Sequence, residues 1–206
     1  QVEKFIQELA WRDYWQQVWV SKGDGINEDI KNKQAPIANT CISKAIIEAN
    51  TGIQAIDQSI QNFYKTGYLH NHLRMYIASI ACNIAHSHWK TPGKWMYYYL
   101  LDADWASNAL NWQWVAGCGT DASPYFRVFN PIIQGEKFDP QGDYTKRYLP
   151  ELQELPNKYL FRPWEAPPEV LKKANITLGQ TYPLPMVDIK QSRQKALESY
   201  SITKEF

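Results

Sequence analysis

Apolar residues in this chain recur at helical spacing and nowhere alternate with period two, a pattern that leaves no strand with one buried face and points to an all-α fold. Phe5, Ile6, Leu9 and Val18 set the pattern over residues 2–20, with Trp11 and Tyr14 between the last two. Further helices are expected at about 38–49 and 54–66, separated by Asn50-Thr51-Gly52, residues with the chemistry of a turn. A longer one is expected over 70–88, stopping before Thr91-Pro92-Gly93. Another follows at about 94–107, then a short one holding Trp112 and Trp114. Beyond Thr120 prolines recur at 124, 131, 140, 150, 156 and 163, and helix is expected again near 141–148, 167–174 and 190–202. The polar, glycine-bearing stretch 21–36 reads as a loop and as the most mobile segment.

At 206 residues the chain suits one domain with an ample core. Its 22 Lys+Arg against 21 Asp+Glu leave a net charge of +1, which neither demands nor excludes a nucleic-acid partner, because a local basic patch can hide in a neutral total. No apolar run approaches the roughly 20 residues that span a bilayer. The three cysteines, Cys41, Cys82 and Cys118, are odd in number and lie in unrelated contexts, so reduced thiols are expected. The expected location is a reducing compartment such as the cytoplasm. Nine Trp and thirteen Tyr exceed what packing alone requires. The chain opens at Gln1 inside a helical pattern, which reads as a trimmed piece of a longer protein.

The four histidines form two H-x-H pairs, His70/His72 and His86/His88. On a helix, positions i and i+2 point about 200° apart, so neither pair chelates one ion, and no metal site is expected. Cys82 and Cys118 have no partner at zinc spacing and read as core thiols. No G-x-S-x-G, P-loop or G-x-G-x-x-G is present, and "GCGTDAS" matches a phosphate loop only loosely because it follows a helix. Asp102 and Asp104 stand just ahead of an aromatic-rich helix. They read either as charges favoured by the helix dipole or as carboxylates that bond a ligand's polar groups.

Several stretches taken in order resemble the photolyase/cryptochrome family. "ELAWRDYW" (8–15), "NTGIQAID" (50–57), "GYLHNHLRM" (67–75) and "DADWASNALNWQW" (102–114) are similar to its motifs, "GTDASPYFRVFNPIIQGEKFDPQGDY" (119–144) nearly residue for residue, and "YPLPMVD" (182–188) resembles its closing motif. Together they run from residue 8 to about 193. The resemblance implies the helical FAD-binding lobe of that family without its N-terminal α/β antenna domain. One domain is expected over 1–206, as a C-terminal fragment of a longer chain.

Matched positions imply that Glu8, Arg12, Asn71, Arg74, Asp102 and Asp104 line a pocket for folded FAD, and that Asn108 faces flavin N5. Trp112 would be the first electron donor to the flavin and Trp89 the second. Trp114 points away from Trp112 and matches a wall of a substrate cavity, where with Trp11 it would sandwich a flipped-out pyrimidine dimer. Glu8, Asn71, Met75 and Arg127 match further cavity positions. The related (6-4) photolyases carry a histidine where Met75 stands, so the cyclobutane dimer is the expected lesion.

The sequence departs from the family in places. Pro36 stands where the third relay tryptophan falls, with Tyr97, Tyr98 and Tyr99 as candidate substitutes. His72, Gln61 and Ile46 replace an arginine, an arginine and a tryptophan. The family's pyrophosphate-gripping segment lies upstream of residue 1. The expected function is blue-light-driven repair of cyclobutane pyrimidine dimers in damaged DNA, a lyase reaction by electron transfer from reduced flavin. The alternatives are a cryptochrome-like blue-light receptor or a flavin-binding subunit of a larger protein assembly, and a flavin-free relic kept as an interaction module.

Overall fold

A computed structural model describes residues 2–35, 37–120, 131–184, 191 and 194. Among these the elements are helical, and the only β pairings are two isolated bridges, Asn39 with Ser87 and Leu178 with Tyr182. Helix α1 (Val2–Lys22) runs into a 3-10 turn at Gly23–Asn27. Then come α2 (Lys44–Ile47), α3 (Gln54–Thr66), α4 (Asn71–Ser79), α5 (Lys90–Tyr99) and α6 (Trp105–Ala116). The C-terminal part holds α7 (Pro131–Phe138), α8 (Asp143–Tyr148), three 3-10 turns and α9 (Pro168–Lys173).

Helix α3 shows how local chemistry sets these limits. Asp57 in its first turn accepts hydrogen bonds from the Thr51 N–H, the Thr51 hydroxyl and the Gly52 N–H, tying down the preceding turn. Its apolar face buries Ile56, Ile60 and Phe63. Gly67 ends it in a left-handed conformation at φ 65°, its N–H returning to the Phe63 carbonyl. A Cβ there would lie 2.5 Å from Leu101 Cγ, so the close approach requires glycine as well.

Helix α6 packs against α1, α4 and α5. Ala106, Ala109, Leu110, Trp112, Gln113, Val115 and Ala116 are buried, so it is covered on nearly all sides, as befits a central helix. The main core joins residues of α2 to α6. A second cluster gathers Leu149, Leu152, Leu155, Leu160 and Tyr182, and a third sets Trp15 of α1 against Ala106 and Leu110 of α6. Trp15 is the one buried residue of α1, whose Phe5, Ile6 and Leu9 are exposed.

Four sequence expectations are corrected. The helix expected over 70–88 stops being α-helical at Ser79, and a π turn over Ile80–Ile84 carries it to Ala85, whose N–H bonds the Ile80 carbonyl. Thr91-Pro92-Gly93 does not stop a helix but lies in the first turn of α5, where proline's missing N–H costs nothing. The helix expected at 38–49 shrinks to Lys44–Ile47, because Ala38 and Asn39 instead exchange backbone bonds with His86 and His88. The stretch 21–36, expected to be a mobile loop, is pinned within its described part: Ile26 is fully buried and its carbonyl accepts from the Gln113 side chain. The helix expected at 190–202 lies almost wholly outside the described residues, although 191 and 194 are helical.

Candidate functional site

The N-terminal end of α6 is built from two carboxylates with different tasks. Asp104 caps the helix: one oxygen accepts the Ser107 N–H at 2.8 Å. Its other oxygen accepts Gln16 Nε2 at 2.7 Å and faces Arg12 Nε at 3.6 Å, so α1 and α6 are clamped through one side chain. Asp102 receives Arg74 Nη2 with both oxygens at 2.9 Å. Arg74 Nε also donates to the Leu69 carbonyl at 2.8 Å, which fixes the guanidinium beside α4. The helix-terminus reading holds for Asp104, whereas Asp102 instead orients an arginine.

One turn further along α6, Asn108 Nδ2 donates to the Gly93 carbonyl of α5 at 2.9 Å, leaving Oδ1 as the acceptor of that amide. Trp112 follows on the same face and is 2% exposed. Its ring lies so close to α5 that a Cβ on Gly93 would sit 3.3 Å from Trp112 Cγ. The Gly93 N–H bonds the Trp89 carbonyl, so Trp112 packs one turn from Trp89.

Trp89 is wholly buried, and its indole N–H donates to Asp29 Oδ1 at 2.8 Å. The same carboxylate accepts the Gln34 N–H at 2.9 Å and lies 3.2 Å from His88 Nε2. His88 Nδ1 accepts the Lys90 N–H at 3.3 Å, which leaves the neutral ring's proton to Nε2, the nitrogen that faces Asp29. Burial pushes the Asp29 carboxyl upward, but the Gln34 and Trp89 donors and the neighbouring His88 outweigh it and hold it below its ordinary range. Burial pushes the Cys82 and Cys118 thiols up, which keeps them protonated, while Cys41 is exposed.

The aromatic residues fall into separate groups. Trp11 stacks on Trp15 with ring centres 5.5 Å apart and leaves nearly half its surface exposed. Trp114 is half-buried against the main core. Tyr99 packs with Phe63, Tyr64 and Trp95, Tyr97 meets Trp105, and Tyr98 projects outward against Tyr99, whereas the ring beside Trp89 is His88. Among the described residues no group of three or more His, Cys, Asp or Glu could hold a metal ion.

Comparison with known proteins matches residues 5–202 to the family described as the FAD binding domain of DNA photolyase. The chain belongs to the photolyase/cryptochrome family. It is 49% identical over 161 residues to a deoxyribodipyrimidine photo-lyase of Agrobacterium fabrum, covering 78% of this chain and 34% of that protein. It is 37% identical over 158 residues to cryptochrome-1 of Arabidopsis thaliana, covering 77% of this chain and 23% of that protein. Among solved structures, a bacterial class III photolyase from Agrobacterium tumefaciens superposes with a TM-score of 0.82 at 40% identity, over 98% of this chain and 43% of that one. A cryptochrome from Synechocystis sp. PCC6803 superposes with a TM-score of 0.83 at 30% identity, over 96% and 41%. The chain thus spans less than half the length of these relatives.

Within this photolyase-type FAD-binding domain, Arg12 with Asp104, Arg74 with Asp102, and Asn108 with Trp112 are brought together around α6. Asn71 Nδ2 lies 3.9 Å from Met75 Sδ on α4, and Glu8 is exposed on α1 one turn from Arg12. Arg127 lies outside the described residues, as does Pro36. Sequence reasoning missed Gln113, whose buried amide donates to the Ile26 carbonyl and accepts from the Ile30 N–H, and it missed Asp29 and Gln34. The "WQW" triplet held the only hint: a polar residue in so apolar a stretch of helix has to find buried partners.

Proposed function

We propose that this chain is the FAD-binding lobe of a light-driven photolyase that splits cyclobutane pyrimidine dimers in DNA. The observation that carries the reading is the Asn108 amide. One of its two N–H donors bonds the Gly93 carbonyl and so orients the amide, and its Oδ1 is the acceptor it can offer a ligand; a reduced flavin carries an N–H at N5. The residues fit the cofactor: Arg74, Asp102, Arg12 and Asp104 supply polar contacts at the mouth of α6, and Asn71 and Glu8 stand on the facing helices.

Bound FAD would supply light absorption and the electron that opens the dimer. Trp112 would return the cofactor to its reduced state by passing on an electron, with Trp89 one turn behind it as the next donor. Trp11 and Trp114 would stack on the extruded dimer, Met75 would shape the cavity, and Glu8, Asn71 and Arg127 would bond its polar edges. A cryptochrome-like receptor is the second reading. It is favoured by His72, which stands in place of the family's arginine and packs against Phe138 with ring centres 5.9 Å apart.

DNA binding by the full-length protein separates the two. Stacking on an aromatic is worth about 1–3 kcal/mol per base, so Trp114→Ala should weaken binding to dimer-containing DNA about tenfold while leaving undamaged DNA almost unchanged. Equal affinity of the wild type for damaged and undamaged DNA, titrated at two salt concentrations, would sink the repair reading and favour the receptor.

A further inference from the structure

We propose that Asp29 is the proton acceptor for Trp89 when that indole loses an electron, so that the oxidising equivalent is kept as a buried neutral radical. This rests on the reading of Trp112 and Trp89 as an electron relay. Indole is a very weak acid, but loss of an electron makes its N–H about as acidic as a carboxylic acid, so the cation passes its proton to a base within reach unless it first recaptures an electron. An indole at the surface gives the proton to water. Trp89 is wholly buried, so its proton needs a base inside the protein.

One is in place. The Trp89 N–H already points at Asp29 Oδ1 at 2.8 Å, and the Asp29 side chain is only 4% exposed. The Gln34 N–H on the other oxygen and His88 Nε2 on the first hold the carboxylate in position. His88 does not compete for the proton, because its Nδ1 is engaged by the Lys90 N–H. The negative charge also favours the indole cation before the proton moves. Where the family places a further tryptophan this chain has Pro36, so Trp89 is the last tryptophan of the matched relay and the place where the charge must rest.

The step balances. With bound FAD as the light-driven oxidant, Trp112 would give up one electron and recover one from Trp89. The Trp89 N–H bond then breaks with its electron pair remaining on nitrogen, and an O–H bond forms on Asp29. The pair passes from neutral indole and carboxylate to neutral indolyl radical and carboxylic acid. When an electron returns to Trp89, the proton returns with it.

The test is flash spectroscopy on the full-length flavin-loaded protein. In the wild type the indole cation should give way to the neutral radical more slowly in D2O than in H2O, and a protonated carboxyl band should rise with it in the light-minus-dark infrared spectrum. A positioned base contributes about 10²–10⁴-fold, so Asp29→Asn should slow formation of the neutral radical about a hundredfold and remove the infrared band, while Asp29→Glu restores both. A purely structural role for Asp29 would change the melting temperature and leave the isotope effect in place. If Trp89→Phe slows electron transfer but Asp29→Asn leaves proton loss unchanged, the proposal is overturned and the relay survives. If Trp89→Phe transfers electrons at the wild-type rate, the relay itself is wrong and the proposal falls with it. Should Asp29→Asn not fold, the wild-type measurements decide alone: a neutral radical without a carboxyl band overturns the proposal.

Discussion

The Asn108 side chain donates to the Gly93 carbonyl at 2.9 Å, and this one bond joins α5 to α6 and orients the amide proposed to face the cofactor. Replacing Asn108 by Asp removes the donor and sets a carboxylate against a carbonyl oxygen. Leaving a buried polar group without its partner costs about 1–3 kcal/mol, so Asn108→Asp should lower unfolding stability by about that amount in urea titrations of the flavin-free protein. An unchanged urea midpoint would show that this bond does not form in solution.

Arg74 and Asp102 should behave in the opposite way. The Asp102 side chain is 62% exposed, and exposed ion pairs contribute at most about 1 kcal/mol, so Asp102→Asn should leave the melting temperature nearly unchanged. It should nevertheless retain markedly less FAD, measured as cofactor released by heat and identified by mass. Full retention of FAD would remove Asp102 from the pocket, and release of FMN would contradict the cofactor assignment.

Helix α3 was readable to the residue because its apolar spacing, the Thr51-Gly52 turn and the terminal Gly67 are all local signals. The break after Ser79 was not, since one extra residue per turn leaves the apolar pattern of Leu73, Ile77, Ile80 and Ala81 apparently continuous. The limits of α5 and α6 were misread for a related reason. Pro92 and Gly93 are stop signals at a helix end but tolerable in a first turn, and the break at 100–104 is fixed by the Leu101 N–H bonding the distant Gly67 carbonyl. The motif residues around α6 were legible through resemblance. Asp29, Gln34 and Gln113 were not, because the partners that bury them lie 53 to 87 residues away in sequence.

The Asp29 cluster makes stability depend on acid. Its carboxyl titrates below the ordinary value of 3.8 when folded, so its contribution is complete above that pH and is lost as the pH falls through the lower folded value. Asp29→Asn should therefore narrow the stability difference between pH 7 and pH 3, read from thermal unfolding at both. An identical pH profile for the variant and the wild type would show that the carboxylate is not held as the Gln34, Trp89 and His88 contacts require.

Dimer splitting by the full-length, FAD-loaded protein tests the central claim most directly. Oligonucleotides carrying a single cyclobutane pyrimidine dimer are incubated with reduced protein in blue light and in the dark, and intact and restored strands are separated by chromatography. Restored strands should accumulate in the light and not in the dark, and Trp114→Ala should lower the yield at limiting protein. No restored strand in the light, from protein that carries reduced FAD, would contradict repair and leave the light-receptor reading in its place.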